Sequence, residues 1–247
     1  MKKSSKKRLI LAPVILIGIF IISFVVWSNS YYKATDETLV FLKTDSSVTV
    51  NHEKYITFTP KIATTTGFIF YPGGKVDENA YAPLCKSIAK QGYKVVIVPM
   101  PLKLAVFGKN RATDVEALYP EIKNWAIGGH SLGGVMAANY AYKNPSSIKA
   151  LILYASYPQN SNNMSSQNII VLSTWGSKDG VADINKIKGS KKLLPRNSVF
   201  QSIEGGNHGQ FGNYGIQKGD NIPNISTNEQ QQIAVKSTVA ILLKISK

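Results

Sequence analysis

The sequence is poor in the residues that cross-link small proteins or bind metals in them. Only one cysteine, Cys85, occurs among 247 residues, so neither an intrachain disulfide nor a cysteine-rich zinc site can form. The three histidines show no metal-ligand spacing, and the glycine pairs lack the lysine of a phosphate-binding loop. A chain of this length can bury a full core without such aids. We therefore expect neither a metal nor a cofactor.

Acidic residues are also scarce, at 14 against 29 lysines and arginines, which gives a net charge of +15. Beyond the N-terminus the basic residues are scattered, and the densest group, 188–192, is short. Nucleic-acid sites show a dense basic stripe with aromatic residues between the charges. The charge therefore argues against nucleic acid as a partner and favours an anionic environment such as a membrane.

Charge is absent from one long segment near the N-terminus. Residues 1–8 carry five basic side chains, and the next 19 residues, 9–27, are uncharged and mostly apolar. As a helix this run would span roughly 28 Å, close to the thickness of the hydrocarbon layer of a bilayer. We predict a cytoplasmic segment at 1–8, a transmembrane signal anchor at 9–27 and a juxtamembrane linker at 28–37.

A cleavable signal peptide is the alternative, because Ser28, Asn29 and Ser30 form an acceptable cleavage site. In either case the remainder of the chain acts outside the cytoplasm, as a single-pass protein of the cell membrane or as a secreted one. Residues 38–247 are predicted to form one domain.

Apolar runs alternate with helical patterns along this domain. The apolar runs lie at 66–74, 93–101, 125–131, 148–155, 168–176 and 198–205, and the helical patterns at 77–93, 112–122, 132–143 and 226–246. Strands that are apolar on both faces, separated by helices, predict an α/β fold with a mostly parallel sheet flanked by helices. Alternating runs at 38–44 and 46–60 predict strands at an antiparallel edge. The polar segment 156–168 leaves no room for a helical lid, so we expect an open, shallow pocket.

A possible nucleophile lies in the pattern G-x-S-x-G, formed by Gly129, Ser131 and Gly133 between a predicted strand and a predicted helix. In this setting a serine takes strained backbone angles that project its hydroxyl from a sharp turn. Serine needs a neighbouring base. His208 follows the last predicted strand in a glycine-rich loop, whereas His52 lies among the early strands and His130 adjoins the serine itself.

The base in turn needs a carboxylate that holds its tautomer. Asp179 is the preferred carboxylate, because it directly follows a predicted buried strand. Asp183 is the alternative, although capping of a short helix is the simpler explanation of this residue. Glu204 lies on the strand that leads into the loop of His208, and we expect its side chain to point sideways from that strand. Further along, Asp220 is one of several residues that can shape the loop after His208.

Two backbone N–H groups are needed to bind the oxyanion of a tetrahedral intermediate. Leu132, directly after the serine, should supply one. The second is expected from Gly74, with Lys75 as the alternative, because this segment follows a predicted strand at the same edge of the sheet. The other explanation is that the adjacent glycines of this segment form an ordinary turn without a role in catalysis.

These residues resemble the α/β-hydrolase fold-5 group of bacterial serine hydrolases. The similarity covers most of residues 66–245 and rests on YPGGKVDENAYAPL, GGHSLGG, WGSKDG and, above all, EGGNHGQFGNYGIQKGDNIPNIS. It implies an α/β-hydrolase fold with minimal lid after an N-terminal transmembrane helix, and ester-type hydrolysis by Ser131, Asp179 and His208.

The expected function is therefore the cleavage of carboxylic-ester-type bonds, through an acyl-enzyme, in a small or surface-presented acyl substrate. An acyltransferase that uses the same three residues is one alternative. A non-catalytic module that binds cell wall or membrane is the other.

Overall fold

The computed structural model describes residues 3–246, and it describes the side chains of 13–27 and 29–246. The chain begins with helix α1 (Lys3–Asn29). Among the described residues, no helix is both long and apolar enough to cross a membrane. The predicted cytoplasmic segment 1–8 and the first residues of the predicted anchor lie outside the described side chains, so the anchor stays a prediction.

In the described part of the chain, eight strands form one sheet in the order β1-β2-β4-β3-β5-β6-β7-β8. The strands are β1 (Val48–His52), β2 (Ile56–Pro60), β3 (Thr66–Tyr71), β4 (Lys94–Ile97), β5 (Asn124–His130), β6 (Ile148–Tyr154), β7 (Ile170–Gly176) and β8 (Val199–Ile203). Strand β2 pairs antiparallel with β1 and β4, and every other pairing is parallel. The mostly parallel sheet with an antiparallel edge is as predicted.

Five further α-helices flank the sheet. They are α2 (Ala82–Ala89), α3 (Ala112–Leu118), α4 (Leu132–Lys143), α5 (Ile184–Gly189) and α6 (Thr227–Ile245). Helices α2 and α6 pack on one face of the sheet, and α3 and α4 pack on the other. The strands between the edge strands β1 and β8 are buried on both faces as a result, which explains their continuous apolar runs. The β6–β7 connection contains no helix within the described chain, so the predicted absence of a helical insertion is confirmed.

One predicted strand is wrong. Residues 38–44 fall largely within a 3-10 helix, Asp36–Leu42, that lies against α2. Only Thr38 of this helix is buried, and the apolar side chains of Leu39 and Val40 are exposed. The alternation of apolar and polar residues in this segment therefore does not correspond to the buried and exposed faces of a sheet.

The predicted linker 28–37 is held on the domain by its backbone. Tyr32 forms a parallel bridge with Val76. Farther along, the N–H of Thr35 donates to the carbonyl oxygen of Asn213 at 2.9 Å. Helix α1 therefore reaches the domain through a segment that is itself hydrogen-bonded to two of its loops.

Candidate active site

Ser131 stands at the sharp turn between β5 and α4, with φ 50° and ψ −123°. Positions 129 and 133, two residues to either side of it, must be glycine, because no side chain would fit there. A Cβ on Gly133 would lie 2.1 Å from the carbonyl oxygen of Tyr71, and one on Gly129 would lie 2.3 Å from the same oxygen. Because the helix after the serine packs this closely on the end of β3, the turn can exist only with glycine at these positions.

Backbone strain is concentrated around this turn. The described non-glycine residues with positive φ are Lys75, Leu102, Lys103, Ser131 and Ala155. All of them follow the C-terminal ends of strands, at the edge of the parallel sheet where Ser131 lies. Such conformations cost of order 1–3 kcal/mol each and persist where a function maintains them. The strained residues therefore indicate a functional site at this edge of the sheet, which is also where ligands bind in other open α/β sheets.

His208 and Asp179 meet as predicted. Nδ1 of His208 lies 2.9 Å from Oδ2 of Asp179, and both residues are buried. The other carboxylate oxygen, Oδ1, accepts hydrogen bonds from the backbone N–H groups of Val181 and Ala182 at 2.9 and 2.7 Å. The carboxylate is therefore fixed by its own turn, and it fixes the proton of His208 on Nδ1.

The Nε2 atom of His208 is buried and has no hydrogen-bond partner among the described residues. The residue before Ser131, His130, packs against this histidine, with the two ring centroids 4.5 Å apart. Within the described chain no hydrogen bond joins the Ser131 hydroxyl to His208. Hydrogen bonds of this kind are often open before substrate binds.

Asp220 makes more contacts in this site than the sequence alone indicates. Its Oδ1 accepts from the backbone N–H groups of Gly180 and His208 at 3.0 and 3.3 Å, and its Oδ2 accepts from Gly209 at 2.8 Å. One carboxylate thus joins the loop after Asp179 to the loop that carries His208. Only the fold brings Asp220 to Gly180, so no local pattern could have shown this role.

The geometry of the predicted oxyanion loop favours Gly74 over Lys75. The N–H of Lys75 donates to the carbonyl oxygen of Lys103 at 2.8 Å and is not available to a ligand. The N–H groups of Gly74 and Leu132 have no partner in the described part of the chain. The two residues are also adjacent, because a Cβ on Gly74 would lie 3.0 Å from Cδ2 of Leu132.

Tyr81 connects the oxyanion loop to the turn of the serine. Its hydroxyl accepts from the N–H of Gly73 at 3.1 Å and lies 2.9 Å from Nδ1 of His130. The hydroxyl hydrogen has no other acceptor among the residues described, so it donates to Nδ1 and His130 is a neutral imidazole. Burial lowers the pKa of His130 well below its ordinary value, and the charge of a protonated His208 acts in the same direction.

The remaining sequence-predicted residues lie outside this group. Asp183 caps α5 by accepting from the N–H groups of Asn185 and Lys186. Glu204 is exposed, and His52 lies near Asn79 on the surface. In the described chain no group of three or more histidine, cysteine or acidic side chains is arranged to hold a metal ion.

Comparisons with known proteins agree with this architecture. A family model described as the alpha/beta hydrolase family matches residues 67–232. No curated protein matches the chain.

Two solved structures are similar in fold. A predicted CIB-like hydrolase from Thermoplasma acidophilum has 16% identity and a TM-score of 0.59, over 80% of this chain and 98% of its own. A puromycin-hydrolyzing peptidase of Mycobacterium tuberculosis has 11% identity and a TM-score of 0.62, over 82% of this chain and 40% of its own.

Proposed function

Because the chain belongs to the α/β hydrolase family, we propose that it is a serine hydrolase that cleaves carboxylic-ester-type bonds with Ser131, His208 and Asp179. The observation that carries the proposal is the buried pair of His208 and Asp179, with Nδ1 and Oδ2 2.9 Å apart and Nε2 left without a partner. A histidine held in this way can accept a proton only at Nε2. Ser131, in its strained turn, directly follows His130, whose ring packs on that of His208.

In this proposal the Ser131 oxygen attacks the acyl carbonyl while His208 takes the hydroxyl proton at Nε2. Asp179 holds the Nδ1 proton and stabilises the imidazolium. His208 then gives the proton to the leaving alcohol, and an ester joins the acyl group to Ser131. Water, activated by the same Nε2, attacks this ester and releases the acid. The proton returns to Ser131, so the cycle is complete.

The N–H groups of Leu132 and Gly74 would stabilise the negative oxygen of the two tetrahedral intermediates. Their freedom from other partners supports this role, as does the hydrogen bond that occupies Lys75. Each such donor contributes several kcal/mol where it is aimed in advance at the developing charge.

We also propose that the chain is held in the cell membrane by residues 9–27 and acts outside the cytoplasm. Support comes from the uncharged run after five basic side chains, which favours an N-terminus inside the cell. The exposure of apolar side chains on helix α1 supports it further.

The experiment is hydrolysis of short p-nitrophenyl esters by the full chain and by Ser131→Ala, Asp179→Asn and His208→Ala. We expect each substitution to lower kcat by about a thousandfold or more, while Asp183→Asn, the matched carboxylate, leaves it within about twofold of wild type. Product analysis with added alcohols distinguishes hydrolysis from acyl transfer. No turnover by a folded wild-type chain on any ester would favour the binding module.

A further inference from the structure

The C-terminal half of α1 is apolar around its axis, and most of its side chains are exposed. Large exposed side chains occupy almost every position, namely Val14, Ile15, Leu16, Ile17, Ile19, Phe20, Ile21, Ile22, Val25, Val26 and Trp27. At 100° per residue such a run covers every direction around the helix axis. A single partner helix would cover only one stripe, whereas lipid surrounds a helix on all sides. The observation therefore favours a bilayer as the environment of α1.

The end of α1 is attached directly to the loop that carries Gly74. The ammonium group of Lys75 lies 4.1 Å from the centre of the Trp27 ring. Tyr32 then donates its N–H to the carbonyl oxygen of Lys75 at 2.8 Å and accepts at its own carbonyl from Asp77 at 2.9 Å. No free tether separates the helix from the proposed oxyanion site.

Tyr32 also contacts the loop on the other side of the proposed site. Its hydroxyl accepts from the N–H of Lys218 at 3.1 Å, and its ring lies 5.6 Å from that of Tyr214. Both partners belong to the loop that follows His208. Residue 32, which follows the end of α1, thus joins the oxyanion loop to the histidine loop.

An apolar rim continues from α1 past the site. Leu102, Val106 and Phe107 are exposed, and the ring of Phe107 meets that of Phe24 edge-on, with the centroids 6.3 Å apart. This segment borders the oxyanion loop, since the carbonyl oxygen of Lys103 accepts from the N–H of Lys75. Exposed apolar side chains therefore lie both on the helix and on the segment that borders the oxyanion loop, and Phe24 and Phe107 join the two.

From this geometry we infer that the mouth of the site, rimmed by Leu102, Val106 and Phe107, faces the outer surface of a lipid bilayer, and that the substrates are acyl esters held in that surface. The inference rests on the proposed function and narrows its substrate class. An ester bond near the headgroups would reach Ser131 without leaving the lipid for water. Such a site needs no lid, because the bilayer covers it.

The test uses the full chain in vesicles of phosphatidylcholine with a fifth of anionic phosphatidylglycerol. A nitroxide label is attached to Phe107→Cys or, as the control, to Ile62→Cys, both in a Cys85→Ala background. Ile62 is 79% exposed and Phe107 is 55% exposed. Ile62 precedes β3 and therefore lies at the opposite edge of the sheet from Ser131. Collisions of each label with oxygen and with a water-soluble nickel chelate are measured.

We expect the label at 107 to collide at least threefold less with the nickel chelate, and more with oxygen, than the label at 62. Equal accessibility at the two positions would overturn the inference, and so would failure of the chain to float with the vesicles. Replacing Val106 and Phe107 by serine should lower the ratio of vesicle-borne to dissolved ester hydrolysis about tenfold, while Ile62→Ser leaves it unchanged.

Labelling of the same samples by a fluorophosphonate separates the two proposals. A labelled Ser131 with water-exposed position 107 would contradict the inference alone. An unlabelled Ser131 in a folded chain would contradict the proposed function, whatever the nitroxide reports.

Discussion

The hydroxyl of Tyr81 lies 2.9 Å from Nδ1 of His130, and both side chains are completely enclosed by the protein. The same hydroxyl accepts the N–H of Gly73, which is the residue before the proposed oxyanion donor Gly74. One buried hydroxyl therefore links the proposed oxyanion loop to the residue before Ser131.

Replacing Tyr81 by phenylalanine tests this link. The change leaves the N–H of Gly73 and Nδ1 of His130 buried without partners, which costs about 1–3 kcal/mol of stability. We expect kcat for ester hydrolysis to fall about tenfold, or about 1.4 kcal/mol of transition-state stabilisation, at unchanged KM. The matched control is Tyr140→Phe, because the Tyr140 hydroxyl is also bonded, to Glu116 and Thr113, but away from the site. An equal loss of kcat in both variants would contradict the proposed connection.

Acidification should destabilise the protein through His130. Its pKa is lowered by burial from the ordinary value of 6.5, so the folded state keeps the ring neutral where the unfolded state binds a proton. Stability contributed by this group is present above pH 6.5 and is lost as the pH falls towards the folded-state pKa, by up to about 1.4 kcal/mol per pH unit.

Urea unfolding at pH 7.5, 6.5 and 5.5 measures the effect. The difference between wild type and His130→Gln should shrink as the pH falls, since glutamine binds no proton in either state. A difference that stays constant over this range would mean that the pKa of His130 is the same in the folded and the unfolded protein, and would contradict the lowered pKa.

Asp220 should act as a positioning residue for His208. In Asp220→Asn an amide N–H₂ would replace one carboxylate oxygen, so at least one of the backbone N–H groups of Gly180, His208 and Gly209 would lose its acceptor. An unsatisfied buried donor costs about 1–3 kcal/mol, and we expect kcat to fall about tenfold with little change in KM. The pH profile of kcat should also shift, because His208 is held less firmly against Asp179.

The control for this experiment is Asp45→Asn. Asp45 likewise accepts two backbone N–H groups, from Ser47 and Val48, at the far end of the sheet. It should lower stability without moving the pH profile. A shift in both variants, or in neither, would contradict the assignment of Asp220.

Two glycines should respond in opposite ways to alanine. At Gly133 the new Cβ would meet the backbone oxygens of Tyr71 and Pro72 at 2.1 and 2.3 Å, so the turn of Ser131 must move. We expect a loss of about 3 kcal/mol and of measurable activity. At Gly189 a Cβ meets nothing within 4 Å, and φ is −66°. There alanine should stabilise the protein by about 0.4–1 kcal/mol, as read from chemical denaturation. Equal effects at both sites would contradict the packing described at the serine turn.

The sequence predicted the parts of the fold that depend on local pattern. Continuous apolar runs identified the buried strands, and the helical pattern at 226–246 is confirmed as α6, which begins with a capping box of Ser226 and Glu229. The meeting of Asp179 and His208 was also predictable, because both follow neighbouring parallel strands. Their side chains had to emerge at one edge of the sheet.

What escaped prediction depends on contacts between distant segments. The alternation at 38–44 predicts a strand, but most of this segment lies in a 3-10 helix that packs on α2. The hydrogen bonds of Asp220 to Gly180 and of Tyr32 to Lys218 join residues that only the folded chain brings together. No local period or spacing records such contacts.

The central claim is that Ser131 is an activated nucleophile. It is tested most directly by treating the folded full chain with a fluorophosphonate and mapping the modified residue by mass spectrometry. We expect one adduct, on Ser131, that forms in wild type and at least a hundredfold more slowly in His208→Ala. A folded wild-type chain that stays unmodified, or an adduct on another residue, would contradict it.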